Sequence, residues 1–170
     1  MTIERVDEML WLPQRLIEEG IAKDIVEHYP NEAGGMLLGY ANGTHRVVTA
    51  LIGAGPGAKH GKYHMVPDDK YQQEMLLLHF SRTDGRESFL GEWHSHPDAS
   101  PEMSRTDRRT LHNVTRKSEN LMTLPTMMIV GVYAHEQRCV LKAYRRRNAR
   151  RSVRLKENDF LEMSVECFMT

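Results

Sequence analysis

The sequence predicts a single α/β domain built on a mixed β-sheet with helices against it. Three observations carry this. The chain has 170 residues, enough for one domain with a real core and too few for two comfortable ones. A helix-period apolar face near the N-terminus (Leu16, Ile17, Ile21, Ile25) is followed by short buried-strand runs such as Met36–Tyr40 and Thr126–Tyr133. Those runs are joined by a hairpin signal as well as by helical crossovers, which puts antiparallel and parallel neighbours in one sheet.

Taken in order, Met9, Leu10 and Trp11 form a short apolar entry. Pro13 suits a first helical turn, where its missing N–H has no intrahelical partner. The helix is predicted from Pro13 to about His28 and is stopped by Pro30; Gly20 weakens it by about 1 kcal/mol relative to alanine. Gly34 and Gly35 permit close backbone approach before the strand Met36–Tyr40. Asn42-Gly43 signals a hairpin into a returning strand, Arg46–Ile52. Residues 53–64 form a glycine-rich loop, and Asp68 is the expected N-cap of a helix whose inner face is Tyr71, Met75 and Leu78. Phe89–His94 is a strand, Ser104 to about Ser118 a helix capped by Ser104, and Thr126–Tyr133 a buried strand. Arg138–Tyr144 alternates as an edge strand, and the stretch from Leu155 is left as a short helix or a tail.

Composition narrows the functional classes. No apolar run approaches the roughly 18 residues of a membrane span, and the N-terminus lacks a signal core. With two cysteines, Cys139 and Cys167, the expectation is reduced thiols in a cytoplasmic protein. Net charge is zero but segregated: residues 141–156 hold six arginines and two lysines without an acid, leaving 15 basic residues against 23 acids elsewhere. Such a run can bind an acidic partner. The plainer expectation is a solvated strand end and a tail folded back on the acidic body, with no nucleic-acid partner and no membrane.

Chemistry concentrates in Gly91–Asp107, GEWHSHPDASPEMSRTD. Side chains alternate across a strand, so His94 and His96 point to one side and Ser95 to the other. Pro97 ends the strand, because it cannot extend a central ladder. The following helix can return Asp107 to the same point. Two imidazoles and one carboxylate suit zinc, and the lack of a fourth ligand in this stretch favours a catalytic ion with an open position. The candidate general base is Glu32, a carboxylate at the start of a buried strand, where it is costly without a task or a partner. Ser95 has no free histidine base and is not a nucleophile here.

Glu32-Ala-Gly-Gly-Met-Leu-Leu-Gly39, then Trp93-His94-Ser95-His96-Pro97, then Ser104-Arg-Thr-Asp107 resemble the JAMM (MPN+) zinc metalloproteases. That family's pattern is an upstream Glu, H-S/T-H-P and S-x-x-D, with ten residues between the second His and the Asp. The resemblance spans roughly residues 10–145. It implies a JAB/MPN-type domain over 1–145, with a curved mixed sheet of cytidine-deaminase-like architecture, and a basic extension over 146–170. It implies one catalytic Zn2+ on His94, His96 and Asp107, Glu32 as acid/base, and Ser104 as an oxyanion donor, although Ser104 also reads as a helix cap alone.

The Gly-Pro-Gly loop, VPDDKYQQ and LGEWHSHP are most similar to small stand-alone bacterial JAB isopeptidases. Some of these accompany ubiquitin-like conjugation in antiphage (CBASS) operons and release a conjugated nucleotidyltransferase. The implied substrate is a protein with an extended C-terminal tail, ubiquitin-like or a conjugated nucleotidyltransferase, gripped by residues 53–64 and by the segment around Asn113 to Pro125. The alternatives are processing of a ubiquitin-like or sulfur-carrier precursor, and a non-catalytic scaffold, which the intact ligand set opposes.

Other signals do not hold. His135-Glu136 begins H-E-x-x-H but meets Cys139, and Gly57–Lys62 has the wrong spacing for a P-loop. No second metal is expected on His60 and His64. His28, His45, His79 and His112 read as ordinary residues, with His112 near enough to Asp107 to adjoin the site. The Met-rich set reads as core.

Overall fold

In the computed structural model, residues 4–118, 123–148 and 154–169 are described. The chain runs β1 (Glu4–Pro13), α1 (Gln14–Leu16), a π-helical stretch Ile17–Ile21, α2 (Ala22–His28), β2 (Gly34–Asn42), β3 (His45–Gly53), β4 (Lys59–His60) and β5 (Met65–Val66). It continues through α3 (Asp69–Arg82), β6 (Ser88–Pro97), α4 (Arg105–Lys117), β7 (Thr126–Tyr133), β8 (Arg138–Arg146) and β9 (Phe160–Phe168). It is a single α/β domain on a mixed sheet. The strand order is β1-β3-β2-β6-β7-β8-β9, and β1 returns to pair with β9, so the sheet closes into a barrel.

Both faces of the sheet are covered, and the period of two says by what. Leu37, Trp93, Met128 and Val130 pack with Ile21 and Ile25 of the N-terminal helix. The alternate residues Met127, Ile129 and Tyr144 pack with Leu111 of α4, and Met36 and Leu38 pack with Tyr71, Met75 and Leu76 of α3. The hairpin signal holds: Asn42 pairs with His45, and Gly43 takes φ +60° at the first of two turn positions, where glycine is favoured. Gly35 is required for the close approach of β2 and β3, since a Cβ there would lie 2.1 Å from the Ile52 carbonyl oxygen.

Several expectations need correction. The apolar entry is a ten-residue strand, β1, parallel to both β3 and β9. The stretch from Leu155 holds only a single 3-10 turn, Glu157–Asp159, and then forms a strand instead of a tail: β9, which pairs with β8 and β1. β8 is consequently no edge strand. Part of the arginine run is built into this seam. Arg145 of β8 and Arg46 of β3 both bind Glu8 of β1, the latter at 2.7 Å, and Arg146 is buried. Residues 149–153 of the run lie outside the described residues. On α3, Asp68 caps as predicted, accepting from the Tyr71 N–H at 3.1 Å. However, Leu78 faces outward and Gln72 is the buried residue.

Candidate metal centre

Three elements meet at the predicted site, and each places its residue for a local reason. On β6, Trp93 and Ser95 face the core while Glu92, His94 and His96 face the α3 and α4 side. β6 lies between β2 and β7, with Gly34 beside His94 and Ile129 on the other flank. Both imidazoles are therefore held by the middle of the barrel wall. α4 begins with a reciprocal cap: the Ser104 N–H donates to Asp107 Oδ2 at 2.6 Å, and the Asp107 N–H donates to Ser104 Oγ at 3.1 Å. The cap fixes the carboxylate with its Oδ1 turned to His94.

The resulting spacings are tight. His94 Nε2 and His96 Nε2 are 3.1 Å apart. Asp107 Oδ1 lies 3.1 Å from His94 Nε2, and Oδ2 lies 3.4 Å from His96 Nε2. Ligands about 2.0–2.2 Å from a tetrahedral ion stand about 3.3–3.6 Å from one another. The three groups are thus gathered at close to the size of a coordination sphere. His96 Nδ1 lies 2.9 Å from the Ser100 carbonyl oxygen, so the Nδ1–H donates there and Nε2 is the atom turned to the centre. This donor set fits a divalent metal ion, and it is the only such group among the described residues.

Electrostatics agree. Burial pushes the Asp107 carboxyl up, but hydrogen bonds from His94 and His96 outweigh it and hold the group well below the usual carboxylate range. Burial pushes the His96 imidazole down, while Asp107 and the Ser100 carbonyl raise it above its ordinary value.

Glu32 lies in the link between α2 and β2. Its main chain is held on both sides by the β4–β5 arm: its N–H donates to the Gly61 carbonyl at 2.9 Å, and its C=O accepts from His60 Nδ1 at 2.7 Å. The His60 ring stacks on His28, with centroids 3.6 Å apart. The next residue is tied to the histidine strand. The Ser95 N–H donates to the Ala33 carbonyl at 2.8 Å, and the Ala33 N–H donates to Ser95 Oγ at 2.9 Å. A third tie runs from the Tyr29 hydroxyl to Asp98 Oδ2 at 2.8 Å. The Glu32 side chain lines a cleft of about 320 Å³ together with His94 and Asp107. Burial pushes its carboxyl above the ordinary value, the two histidines pull it down, and Asp107 pushes it up.

Thus His94, His96, Asp107 and Glu32 converge, and the exposed Ser104 caps the helix that carries Asp107 without lining the cleft. His60 backs Glu32 rather than joining the centre, and His112 is buried in α4 without lining the cleft. Both cysteines are unpaired and exposed. Of the segments proposed to grip a tail, Tyr63 and His64 of the first, and Asn113, Val114 and Lys117 of the second, line the cleft. Residues 119–122 lie outside the described residues. Sequence reasoning missed Glu92, which lies in the cleft floor. Its spacing of two before His94 on one strand was the available signal.

The family model described as prokaryotic homologs of the JAB domain matches residues 13–148. A Sinorhizobium fredii protein named "Probable metalloprotease y4qB" is 32% identical over 126 residues, covering 72% of this chain and 76% of that protein. A Vibrio cholerae protein named "CD-NTase/cGAS isopeptidase" is 29% identical over 106 residues, covering 62% of this chain and 65% of its own length. A solution structure of a Desulfitobacterium hafniense protein shares the fold at TM-score 0.64 and 21% identity, over 95% of this chain and 94% of that one.

Proposed function

We propose, from the premise that this chain belongs to the prokaryotic homologs of the JAB domain, that it is a zinc-dependent isopeptidase. Its reaction is hydrolysis of the bond after the C-terminus of a protein conjugated to a target. The observation that carries this is the gathering of His94, His96 and Asp107 ligand atoms within 4.8 Å of one another, in a cleft that also holds the Glu32 carboxylate. Relatives named CD-NTase/cGAS isopeptidase favour a conjugated nucleotidyltransferase as substrate over a ubiquitin-like protein. The antiphage setting and cytoplasmic location implied by the resemblance to stand-alone JAB proteins belong to the same reading. No helix among the described residues is long and apolar enough to cross a membrane. The proteolytic unit is assigned to residues 1–145, with 146–170 as an extension that contributes β9. A parallel β6–β7 pair joined by the ligand-bearing α4 supports the cytidine-deaminase-like architecture.

His94, His96 and Asp107 would hold the ion. When bound, zinc supplies a Lewis acid that makes water acidic enough to lose a proton near neutral pH and polarises a carbonyl. Glu32, with its carboxyl raised above the ordinary range by burial, accepts the proton of the attacking water and delivers it to the leaving amine. Ser104 Oγ already accepts from the Asp107 N–H, which leaves its O–H to donate to the developing oxyanion. The cleft between the β4–β5 arm and α4 receives the tail and excludes water from the reacting carbonyl. The amide carbon gains the water oxygen, its C–N bond breaks, and carboxylate and lysine amine leave.

The test uses the full chain, its metal content measured by atomic spectroscopy. Glu32→Ala is then used as bait for cellular conjugates, and the captured conjugate is offered to wild type. Zinc at one equivalent and chelator-sensitive release of the target lysine are expected. Protein without zinc, or with chelator-insensitive cleavage, overturns the reading. Cleavage confined to linear fusions moves it to precursor processing.

A further inference from the structure

The cleft floor carries a charge that the hydrolytic mechanism does not use. Glu92 shares one face of β6 with His94 and His96, two residues and so about 6–7 Å along the strand from His94. It is half-buried. Among the described residues no hydrogen bond or ion pair reaches its carboxylate; the titratable groups nearest it are His94, Lys117 and Asp69. Lys117 stands exposed on the last turn of α4 at the cleft mouth. Asp69 is a second negative charge, at the first turn of α3. A carboxylate taken partly out of water is costly unless a partner meets it, and this one faces the space where substrate lies.

We propose that Glu92 is the specificity-determining residue of a cation subsite, taking a lysine or arginine side chain within about two residues of the scissile bond. The proposal rests on the protease reading and adds to it the chemical class of the neighbouring substrate residue. The neighbouring geometry suits a long basic side chain. Met36 of β2 is paired with Glu92 on the same face, and Thr110 and Asn113 of α4 give polar walls. A guanidinium or ammonium entering here meets the Glu92 carboxylate, with Lys117 at the mouth and the zinc-loaded centre as the positive charges that the contact must outweigh.

The test offers zinc-loaded wild type, Glu92→Gln, Glu92→Lys and Lys117→Gln a set of reporter fusions. These vary the two positions on either side of the cut among Lys, Arg, Gln, Ala and Glu. At one position wild type is expected to prefer Lys or Arg over Gln by about tenfold, the order of one charge-assisted hydrogen bond. That ratio should fall to near one in Glu92→Gln and favour Glu in Glu92→Lys, with zinc content equal to wild type as the check on folding. Cleavage by wild type without a basic preference, or a preference that survives Glu92→Gln, overturns the subsite and leaves the protease reading standing. A preference that emerges only in Lys117→Gln also overturns it, since Lys117 is then the carboxylate's own partner. Failure of zinc-loaded wild type to cleave any fusion or the captured conjugate overturns both.

Discussion

Replacing Ser95 by alanine removes one hydroxyl from the junction between the histidine strand and the Glu32 segment. Ser95 is fully buried, and its Oγ is the acceptor for the N–H of Ala33, itself fully buried. The reciprocal bond from the Ser95 N–H to the Ala33 carbonyl survives the change. One buried donor is left without its partner, a loss of about 1–3 kcal/mol. For a domain of this size each kcal/mol lowers the melting temperature by about 2–4 °C, so a fall of roughly 2–12 °C is expected. Function should suffer separately. Ala33 adjoins Glu32, and a misplacement of about 1 Å in a reacting group costs on the order of a hundredfold in rate. Thermal unfolding by circular dichroism reads the first effect, and turnover of the captured conjugate at fixed zinc occupancy reads the second. An unchanged melting temperature would refute the energetic role of this bond. A normal turnover number in a destabilised variant would refute its role in aiming Glu32.

His94→Ala and Asp107→Ala should each lose zinc, measured by atomic spectroscopy after gel filtration, whereas Glu32→Gln should keep zinc and lose about 10²–10⁴ in turnover; a zinc-free Glu32→Gln would make it a ligand. Glu8→Gln leaves the buried Arg46 and its neighbour Arg145 without their shared carboxylate and should cost about 3–5 kcal/mol in chemical denaturation. Although burial pushes the Glu8 carboxyl up, Arg145 and Arg46 hold it below 4.5 in the folded protein. Its contribution is therefore complete above about pH 4.5 and is lost as pH falls through the lower folded value. The wild-type acid limb should flatten in Glu8→Gln, and identical acid limbs would remove Glu8 from the account.

Legibility followed the range over which each residue's partners lie. The metal centre could be read because its determinants are local. Alternation fixes the side on which His94 and His96 emerge, and an N-capping serine fixes the turn that carries Asp107. Glu32 was legible only as a carboxylate too expensive to bury idly; the ties that aim it, through His60 and Ser95, cross 28 and 62 residues. β1 left little local trace because its partners are β3 and β9, far along the chain. β9 did leave one: Leu161, Met163, Val165 and Cys167 recur at a spacing of two, masked by the charged residues before them. On α3, the pattern pointed to Leu78 because it weighs apolarity alone. The buried Gln72 instead satisfies the Gly53 carbonyl at 3.0 Å, a need visible only once β3 is in place.

The seam between β1 and β9 sets an order on how the molecule can be made. Glu4 pairs with Leu161 and Pro13 with Phe168, so β1 must wait for β9, which is made long after it. Until then β1 can lean only on β3, and β8 has one free side. β6, which carries both histidines, lies between β2 and β7, and all three are complete before the seam exists. A nascent chain can therefore assemble its histidine strand while the barrel is still open, with long-range closure as the slow step. A chain cut back to the family-matched span, residues 13–148, would retain every proposed ligand and lose the strands that shut the wall.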